Sequence, residues 1–335
     1  MAYETGIASS RADLISKLCT FAVASGWTQD EYSALNERAS LHKGNVYVHF
    51  WWEDDEATQL ESIGMYQSLG FSSGQDPPNH TDDAGGSDST YQNYQRKSIK
   101  YIGDGPFTAY HFFSHTDTDC VYCVLEYSAG LFRHFGFGNL SKFGTWTGGE
   151  FVYGHCWHYE GKSSVTYSAH SVLLDGLHSS VSYEEGRSGA TIHIEDMPNQ
   201  DASSKWGLIG GSPTSTSFPG TDRAGEARVN IQGGARRGVH LTFWNWLRAD
   251  SLSGLVNLCP ISIFYVEDPS ATPRVMRLLG FMHNIYMLQI AGFEAGDEIT
   301  IGSDTYKIFP IVRKRYEADS NEESRNGGIA YKKVT

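Results

Sequence analysis

Strand-length apolar segments separated by turn residues fill the chain from residue 45 towards the C-terminus, and this pattern constrains the fold most. Residues 45–52 alternate between apolar and polar side chains, as a half-buried β-strand does. Three further apolar segments follow, each bounded by short stretches rich in Asp, Thr, Ser or Gly: 109–115, 120–127 and 131–137. The pattern predicts consecutive antiparallel strands in a mainly β protein.

One segment near the N-terminus has a helical period instead. Within residues 10–25, Leu14, Leu18 and Phe21 fall on one face of a helix. Ser10 suits the N-cap position, and Gly26 follows where the periodic segment stops. A short helix is therefore predicted ahead of the β-rich part of the chain.

The C-terminal half adds two strands, at 239–246 and 261–266, and the strongest hairpin pattern of the sequence. In that hairpin, residues 297–301 and 305–309 flank a turn that begins at Gly302. Both arms carry apolar side chains at alternating positions, as cross-strand pairing requires. This hairpin is expected to belong to the folded core.

The resulting fold class is mainly β, with antiparallel β-sandwich or jelly-roll-like units, a short N-terminal helix and long polar loops. Three segments poor in aliphatic residues are expected to be loops: 72–95, 198–222 and 317–328. The chain is divided accordingly into an N-terminal helical segment, a β domain, a loop or linker and a C-terminal β region: 1–28, 29–197, 198–222 and 223–335.

Composition narrows the class of protein further. The 335 residues are 40% hydrophobic and include 8 Trp, 19 Tyr and 17 Phe, which rules out disorder along the whole chain. A formal net charge of −13 disfavours direct nucleic-acid binding, because phosphate contacts come largely from Lys and Arg.

No apolar stretch approaches the roughly 18 residues of a membrane span. The N-terminus lacks a secretory signal, and five cysteines are too few for a disulfide framework, which favours cytoplasmic synthesis.

Two sequence motifs resemble metal or redox sites. Cys120 and Cys123 have the spacing of half a zinc site, but on a strand they point to opposite faces. Buried strand cysteines are the favoured interpretation. Residues 155–160 (HCWHYE) include His, Cys and Glu on one strand face, yet no further ligand pattern lies nearby. Aromatic-rich strand packing is favoured there, and no metal or cofactor is predicted.

The acidic and basic clusters have ordinary interpretations as well. Residues 53–56 (EDDE) provide paired carboxylates, but four consecutive acids more often mark the start of a helix. Asp117 and Asp119 lack the spacing of an EF-hand loop. The short basic clusters at 236–237 and 313–315 suit surface or interface salt bridges. No catalytic residues are predicted.

Three blocks of the sequence are similar to a group of tailed-bacteriophage virion proteins. The first is the opening MAYETGIASS, followed by the DLISKL helix and Gly-Trp-Thr. The second is FRHFGFGNLSKFG followed by TGGEF, and the third combines GDEITIG, YKIFP and the closing GIAYKK. In order, the blocks occupy these ranges: 1–10, 13–18 and 26–28; 132–144 and 147–151; 296–302, 306–310 and 328–333.

The resemblance implies a non-enzymatic structural subunit of the virion, in the tail, baseplate or neck. Its partners would then be other virion proteins and copies of itself in a symmetric ring. Two alternatives stay open: a tail-associated receptor-binding protein that contacts a host surface glycan, and a capsid-surface decoration protein. The glycan alternative is motivated by tryptophans next to carboxylates, at 51–56 and 157–160.

The last forty residues contain the candidate interface. They combine the predicted hairpin, the basic residues Arg313, Lys314 and Arg315, and an end that carries Tyr331, Lys332 and Lys333. We expect the segment 311–335 to contact a neighbouring virion protein, with the basic triplet facing an acidic surface. The alternative is a terminal strand that completes the chain's own sheet.

Overall fold

The structure is a computed structural model, and it describes most of the chain in thirteen stretches. These are 2–55, 60–74, 99–100, 102–115, 118–156, 170–171, 191–197, 205–208, 227–229, 256–268, 275–290, 292–311 and 327–333.

One helix and twenty strands lie in these stretches. In chain order they are β1 (Ala2–Ala8), α1 (Arg11–Ala24), β2 (Thr28–Ser33), β3 (Arg38–Lys43), β4 (Val46–Asp55), β5 (Leu60–Ser68), β6 (Ile99–Lys100), β7 (Phe107–His115), β8 (Cys120–Ser128), β9 (Leu131–Asn139), β10 (Ser141–Lys142), β11 (Thr147–Cys156), β12 (His170–Ser171), β13 (Thr191–Glu195), β14 (Trp206–Leu208), β15 (Ala227–Val229), β16 (Cys259–Asp268), β17 (Val275–Gln289), β18 (Glu298–Ile301), β19 (Asp304–Pro310) and β20 (Gly327–Lys333).

The predicted N-terminal helix is confirmed. The Ser10 side chain caps α1 by accepting a hydrogen bond from the backbone N–H of Asp13 at 3.1 Å. The helix ends at Ala24, and Gly26 then adopts a φ of +89°, which glycine tolerates without steric cost. Its apolar face, which includes Leu14 and Leu18, is fully buried. In the part of the chain that the structure describes, no helix is long and apolar enough to cross a bilayer.

The strands form three antiparallel sheets, as the fold class predicted. The central sheet has the order β1-β7-β8-β9-β11-β13-β14, with β12 paired to β11. The C-terminal sheet has the order β15-β16-β17-β20-β19-β18, with β10 paired to β17. The N-terminal sheet has the order β2-β3-β4-β5-β6.

The central sheet is the middle layer and is covered on both faces. One face packs against the C-terminal sheet, and the other packs against α1 and the N-terminal sheet. Cys120 and Cys123 show the two faces directly, since both thiols are buried but each belongs to a different core cluster. On a strand with both faces buried, every side chain faces a core, so a continuous apolar run stabilises the strand. This explains the apolar sequence of β8.

The predicted β domain and C-terminal β region share one hydrophobic core. Phe113 of the central sheet stacks on Tyr331 of the C-terminal sheet with ring centroids 4.8 Å apart. The Tyr122 hydroxyl donates to the His283 carbonyl oxygen at 2.8 Å, again between these sheets. Within the predicted linker 198–222, Trp206–Leu208 extend the central sheet by pairing with β13. The core therefore continues across the proposed boundary.

The expectation of a helix start at residues 53–56 is wrong. Residues 53–55 continue β4 and pair with β5, with Glu53 opposite Ser62 and Asp55 opposite Leu60. The β4–β5 ladder extends through all three acids, so backbone pairing overrides their preference for a helix N-terminus. The strand predicted at 239–246 and most of the loop predicted at 72–95 lie outside the described residues.

At the C-terminus, the predicted hairpin is confirmed as β18 and β19, with Ile301 opposite Asp304 across the turn. The expectation that both strands belong to the core holds for β19 only, because β18 is the edge strand and Ile301 is 48% exposed. The strand that follows, β20, lies between β17 and β19 in the interior of the C-terminal sheet. Of the two interpretations of the chain end, residues 327–333 follow the one in which a terminal strand completes its own sheet.

Candidate functional site

The candidate site lies where the chain crosses between two sheets. After β9 the chain leaves the central sheet, pairs briefly with β17 through β10, and returns as β11. This crossing loop, residues 140–149, is held to Leu279 by two hydrogen bonds. The Phe143 backbone N–H and the Trp146 indole Nε1 both donate to the Leu279 carbonyl oxygen, at 2.8 and 3.2 Å.

Close backbone contacts explain the glycines around the crossing loop. A Cβ at Gly280 would overlap the Ser141 carbonyl oxygen, and one at Gly148 would overlap the carbonyl oxygen of His193. Gly148 and Gly149 also have φ angles of +113° and +110°, and the β11–β13 register shifts after Gly148. The Gly-Gly pair therefore forms a bulge that sets the direction of the loop.

Lys142 fixes the loop from its solvent side. Its Nζ donates to the carbonyl oxygens of Trp146 and Gly148, both at 3.0 Å. The same Nζ lies 5.3 Å from the centroid of the Trp146 ring, within range of a cation–π interaction. Lys142 therefore contacts both the Trp146 ring and the Gly148 bulge, and it places a positive charge beside the indole.

The crossing loop forms one wall of a surface cleft of about 430 Å³, and β17 and the end of β13 supply the rest. Its lining combines an indole, a guanidinium, a carboxylate, two hydroxyls and a thioether: Thr145, Trp146, Thr147, Asp196, Met197 and Arg277. The Thr147 hydroxyl donates to Asp196 Oδ2 at 3.1 Å, which orients the carboxylate. Asp196 has a φ of +64°, uncommon for a residue other than glycine and often found at functional sites.

A charged cluster lies on the strands that lead into the cleft. His193 donates from Nδ1 to Glu150 Oε2 at 2.7 Å and from Nε2 to Glu195 Oε1 at 2.9 Å. Burial acts to lower the pKa of His193, but the hydrogen bonds to the two glutamates outweigh it and the pKa is raised. The imidazolium form therefore balances part of the carboxylate charge beneath the bulge.

The candidate interface residues of the C-terminus have different locations. Tyr331 is fully buried, and its hydroxyl donates to His134 Nδ1 at 2.7 Å, so its side chain is not available to a partner. Its place on an interior strand of the C-terminal sheet buries it. Arg313, Lys314 and Arg315 lie outside the described residues.

The two lysines at the end of β20 make ion pairs with the preceding hairpin. Lys332 Nζ lies 2.9 Å from Asp304, and Lys333 Nζ lies 3.0 Å from Glu298. Lys333 Nζ also lies 5.2 Å from the centroid of the Tyr3 ring on β1. Both lysines therefore hold the terminal strand within its own subunit.

The other sequence motifs do not assemble into a metal or redox site in the described part of the chain. No group of three His, Cys, Asp or Glu side chains there is arranged to hold a metal ion. Burial raises the pKa of Cys120 to about 11 and that of Cys123 above its usual range, which keeps both thiols protonated. Asp119 pairs with Lys43 at 3.0 Å, and residues 157–160 lie outside the described residues.

Two tryptophans of the described residues lie in the core, and a third lines the cleft. Trp27 and Trp52 are 3% and 2% exposed and belong to the core, whereas Trp146 is half-buried beside Asp196. Sequence patterns do not reveal this Trp–Asp pair, because the two residues are fifty positions apart. The nearest signal was the TGGEF block, which proves to contain the bulge that positions Trp146.

Comparison with models of known protein families finds no match, and comparison with curated protein sequences finds no significant relative. The function must therefore be inferred from this chain's own residues, among them its exposed apolar side chains and the lining of the Trp146 cleft.

Proposed function

We propose that the chain is a non-enzymatic structural subunit of a tailed-bacteriophage virion, located in the tail, baseplate or neck. The three virion-like sequence blocks support this proposal through what they build. The first forms β1 and α1, the second forms β9 and the crossing loop, and the third forms β18, β19 and β20. The resemblance therefore covers the helix, strands of the central and C-terminal sheets, and the loop that crosses between these two sheets, as expected of a shared structural role.

The observation that carries the proposal is a set of large apolar side chains exposed on separate elements. Ile7 on the edge strand β1 is 70% exposed, Leu35 in the β2–β3 turn is 92% exposed, and Phe143 in the crossing loop is 64% exposed. A head-to-tail ring joins two different surface patches of each subunit, so exposed apolar side chains on separate elements suit such a ring.

Labelling of intact particles tests the proposal. An antibody against the chain should decorate purified particles at the tail, baseplate or neck, and the chain should co-purify with them at a fixed stoichiometry. Decoration of the head would favour the capsid-surface alternative. Absence of the chain from purified particles would contradict a virion role altogether.

The basic triplet remains the proposed docking element for a neighbouring virion protein with an acidic surface. Reversing two of its charges, R313E/R315E, should reduce incorporation into particles, because complementary charge steers docking. The matched control is R236E/R237E, which changes the net charge equally at the other basic cluster. Equal incorporation of the two variants would remove the triplet from the docking surface.

A second candidate function is binding of a host surface glycan by a tail-associated protein. The specific observation in its favour is Trp146 beside Asp196 and Arg277 in one cleft, since an aromatic wall with a few fixed polar groups is typical of ligand sites.

A further inference from the structure

We propose that His193, held between Glu150 and Glu195, is a proton-dependent clamp that fastens β13 to β11. The clamp forms while both ring nitrogens of His193 carry a proton, and one of its two bonds is lost when the ring is neutral. This device belongs to the fold, so it is independent of the virion role and of any glycan in the Trp146 cleft.

A gap in the backbone pairing between the two strands is the first argument. Gly148 lies opposite Ile194, and the pairing resumes only with Phe151 opposite Ile192. Two residues of β11 therefore face the single residue His193 of β13, which is the arrangement of a β-bulge. A side-chain bond at this position joins the strands where the ladder is interrupted.

The side chains at the gap form a row of alternating charge. His193 Nδ1 lies 2.7 Å from Glu150 Oε2 on β11, and Nε2 lies 2.9 Å from Glu195 Oε1 on β13 itself. Lys205, just ahead of β14, has its Nζ 3.8 Å from the same Glu195 oxygen. The row therefore extends from β11 across β13 to the start of β14, at the end of the central sheet.

The chemistry of the two partners requires the protonated ring. An ionised carboxylate only accepts hydrogen bonds, and imidazole donates from both nitrogens only as the imidazolium ion. A neutral ring would turn a lone pair towards one of the two carboxylates. His193 and Glu150 are 5% and 8% exposed, so water compensates little for the lost bond.

The other charged groups near the clamp have contacts elsewhere. Among the described residues, the strands packed against β13 are β11 and β14, which supply the Glu150 carboxylate and, just ahead of β14, the Lys205 ammonium group. Asp196, the residue after β13, accepts from the Thr147 hydroxyl. Lys142 on the crossing loop donates to two backbone carbonyl oxygens. The two glutamates are thus the groups that set the protonation of the ring.

The direction of the pH dependence follows from these contacts. Burial acts to lower the pKa of His193, but the hydrogen bonds and charges of the two glutamates outweigh it, and the pKa is raised above its ordinary value of 6.5. The stabilisation by the clamp is therefore complete below the unfolded-state pKa. It is lost as the pH rises through the higher pKa of the folded chain.

The direct test is a histidine NMR titration of the full chain from about pH 5 to about pH 10. His193 is assigned among the 13 histidines as the resonance that disappears in H193Q. Its midpoint should lie above 6.5. The variant E195Q keeps the ring and its bond to Glu150 and should lower the midpoint, which also supplies the assignment if H193Q does not fold. A wild-type midpoint at or below 6.5 would overturn the proposal.

Hydrogen exchange tests whether the clamp controls the strand. Protection factors, which correct for the intrinsic effect of pH on exchange, are compared at about pH 6.5 and about pH 9 for residues 191–195 of β13 and 121–125 of β8. In the wild type, β13 should lose protection severalfold at the higher pH, whereas β8, paired on both sides, should keep it. In H193Q, β13 should be weakly protected at both pH values.

The matched control is H42Q, because His42 also pairs with a carboxylate, Asp30 at 2.8 Å, but on the N-terminal sheet. In this variant β13 should respond to pH as it does in the wild type. Far-UV circular dichroism and thermal unfolding confirm that each variant is folded before exchange is compared. Protection of β13 that is the same at both pH values in the wild type, or that falls equally in H193Q, would contradict the clamp.

Discussion

At the scale of single residues, buried polar side chains connect the central and C-terminal sheets. His134 is fully buried, accepts from the Tyr331 hydroxyl through Nδ1, and donates from Nε2 to the Pro310 carbonyl oxygen at 2.8 Å. Burial lowers the pKa of His134 to about 4. The neutral ring is therefore part of the native packing, and its protonation is disfavoured until the pH is low.

The lowered pKa of His134 predicts that the folded chain loses stability as the pH falls. Its pKa in the folded chain lies below the ordinary value of 6.5, so the unfolded chain binds the proton first as pH falls. The stabilisation is complete above about pH 6.5 and is lost towards pH 4, by an amount on the order of 3 kcal/mol. Denaturant unfolding between pH 7 and pH 4 should show this loss in the wild type.

The variant H134Q isolates the effect. It is less stable at pH 7 because two hydrogen bonds change, but its stability should fall less steeply with pH than that of the wild type. His111, whose pKa burial and nearby Lys307 also lower to about 4, is present in both proteins and cancels in the comparison. Identical pH slopes for the two proteins would contradict the role of His134.

Gly136 provides a second residue-scale prediction. A Cβ at this position of β9 would lie 2.6 Å from Tyr122 Cδ1 and 2.8 Å from Tyr153 Cε1, two buried rings. G136A should therefore lower the free energy of unfolding by roughly 1–3 kcal/mol through overpacking. The control G292A adds a Cβ in open space and should change stability by less than about 0.5 kcal/mol. Equal stabilities of the two variants by denaturant titration would show that the rings move aside freely.

At the scale of elements, β20 is an interior strand of the C-terminal sheet, so a C-terminal truncation that removes it tests folding and not docking. The strand pairs with β17 on one side and β19 on the other, and Ile329, Ala330 and Tyr331 are each 0% exposed. Truncation after Pro310 should therefore give a misfolded or insoluble chain, because it splits the C-terminal sheet and opens its core. Truncation after Lys333 is the control and should remain folded. A soluble, cooperatively unfolding product of the first truncation would contradict this account.

Because β20 belongs to the core, truncation is not a suitable test of docking. Losing β20 would abolish incorporation into particles through unfolding alone, so a truncation says nothing about an interface. Charge reversal within 313–315 leaves the strand in place and is the sharper experiment.

At the scale of the whole molecule, the middle layer needs both of its neighbours. The face of the central sheet that carries Phe113, Tyr122 and Phe151 is covered by the C-terminal sheet. A fragment of residues 1–197 should therefore aggregate or bind a hydrophobic dye, although it contains the helix and all of the N-terminal sheet. The full chain is the control, measured by solubility and dye fluorescence. A soluble fragment with a cooperative transition would establish 29–197 as an independent domain.

Local sequence signals determined much of the secondary structure. Ser10 and Gly26 bracket the helix because capping and left-handed backbone depend on neighbouring residues only. The β18–β19 hairpin follows from its turn and from alternating side chains in both arms. Cys120 and Cys123 were assigned to opposite faces correctly because the strand period is two. Each of these features is decided within a few residues.

Three features depend on tertiary contacts and could not be predicted from sequence patterns. They are the order of the three sheets, the location of the C-terminal residues and the set of residues that line the cleft. The residues around Tyr331 suit an exposed C-terminal arm as well as a core strand. Tyr331 is buried because β20 pairs with β17 and β19. Residues 53–55 became strand for the same reason, since β5 continued the ladder. Trp146, Asp196 and Arg277 are far apart in sequence and meet because the crossing loop docks on β17. Contacts of this kind depend on which distant segments share an interface, and a periodicity of two residues carries no information about the partner.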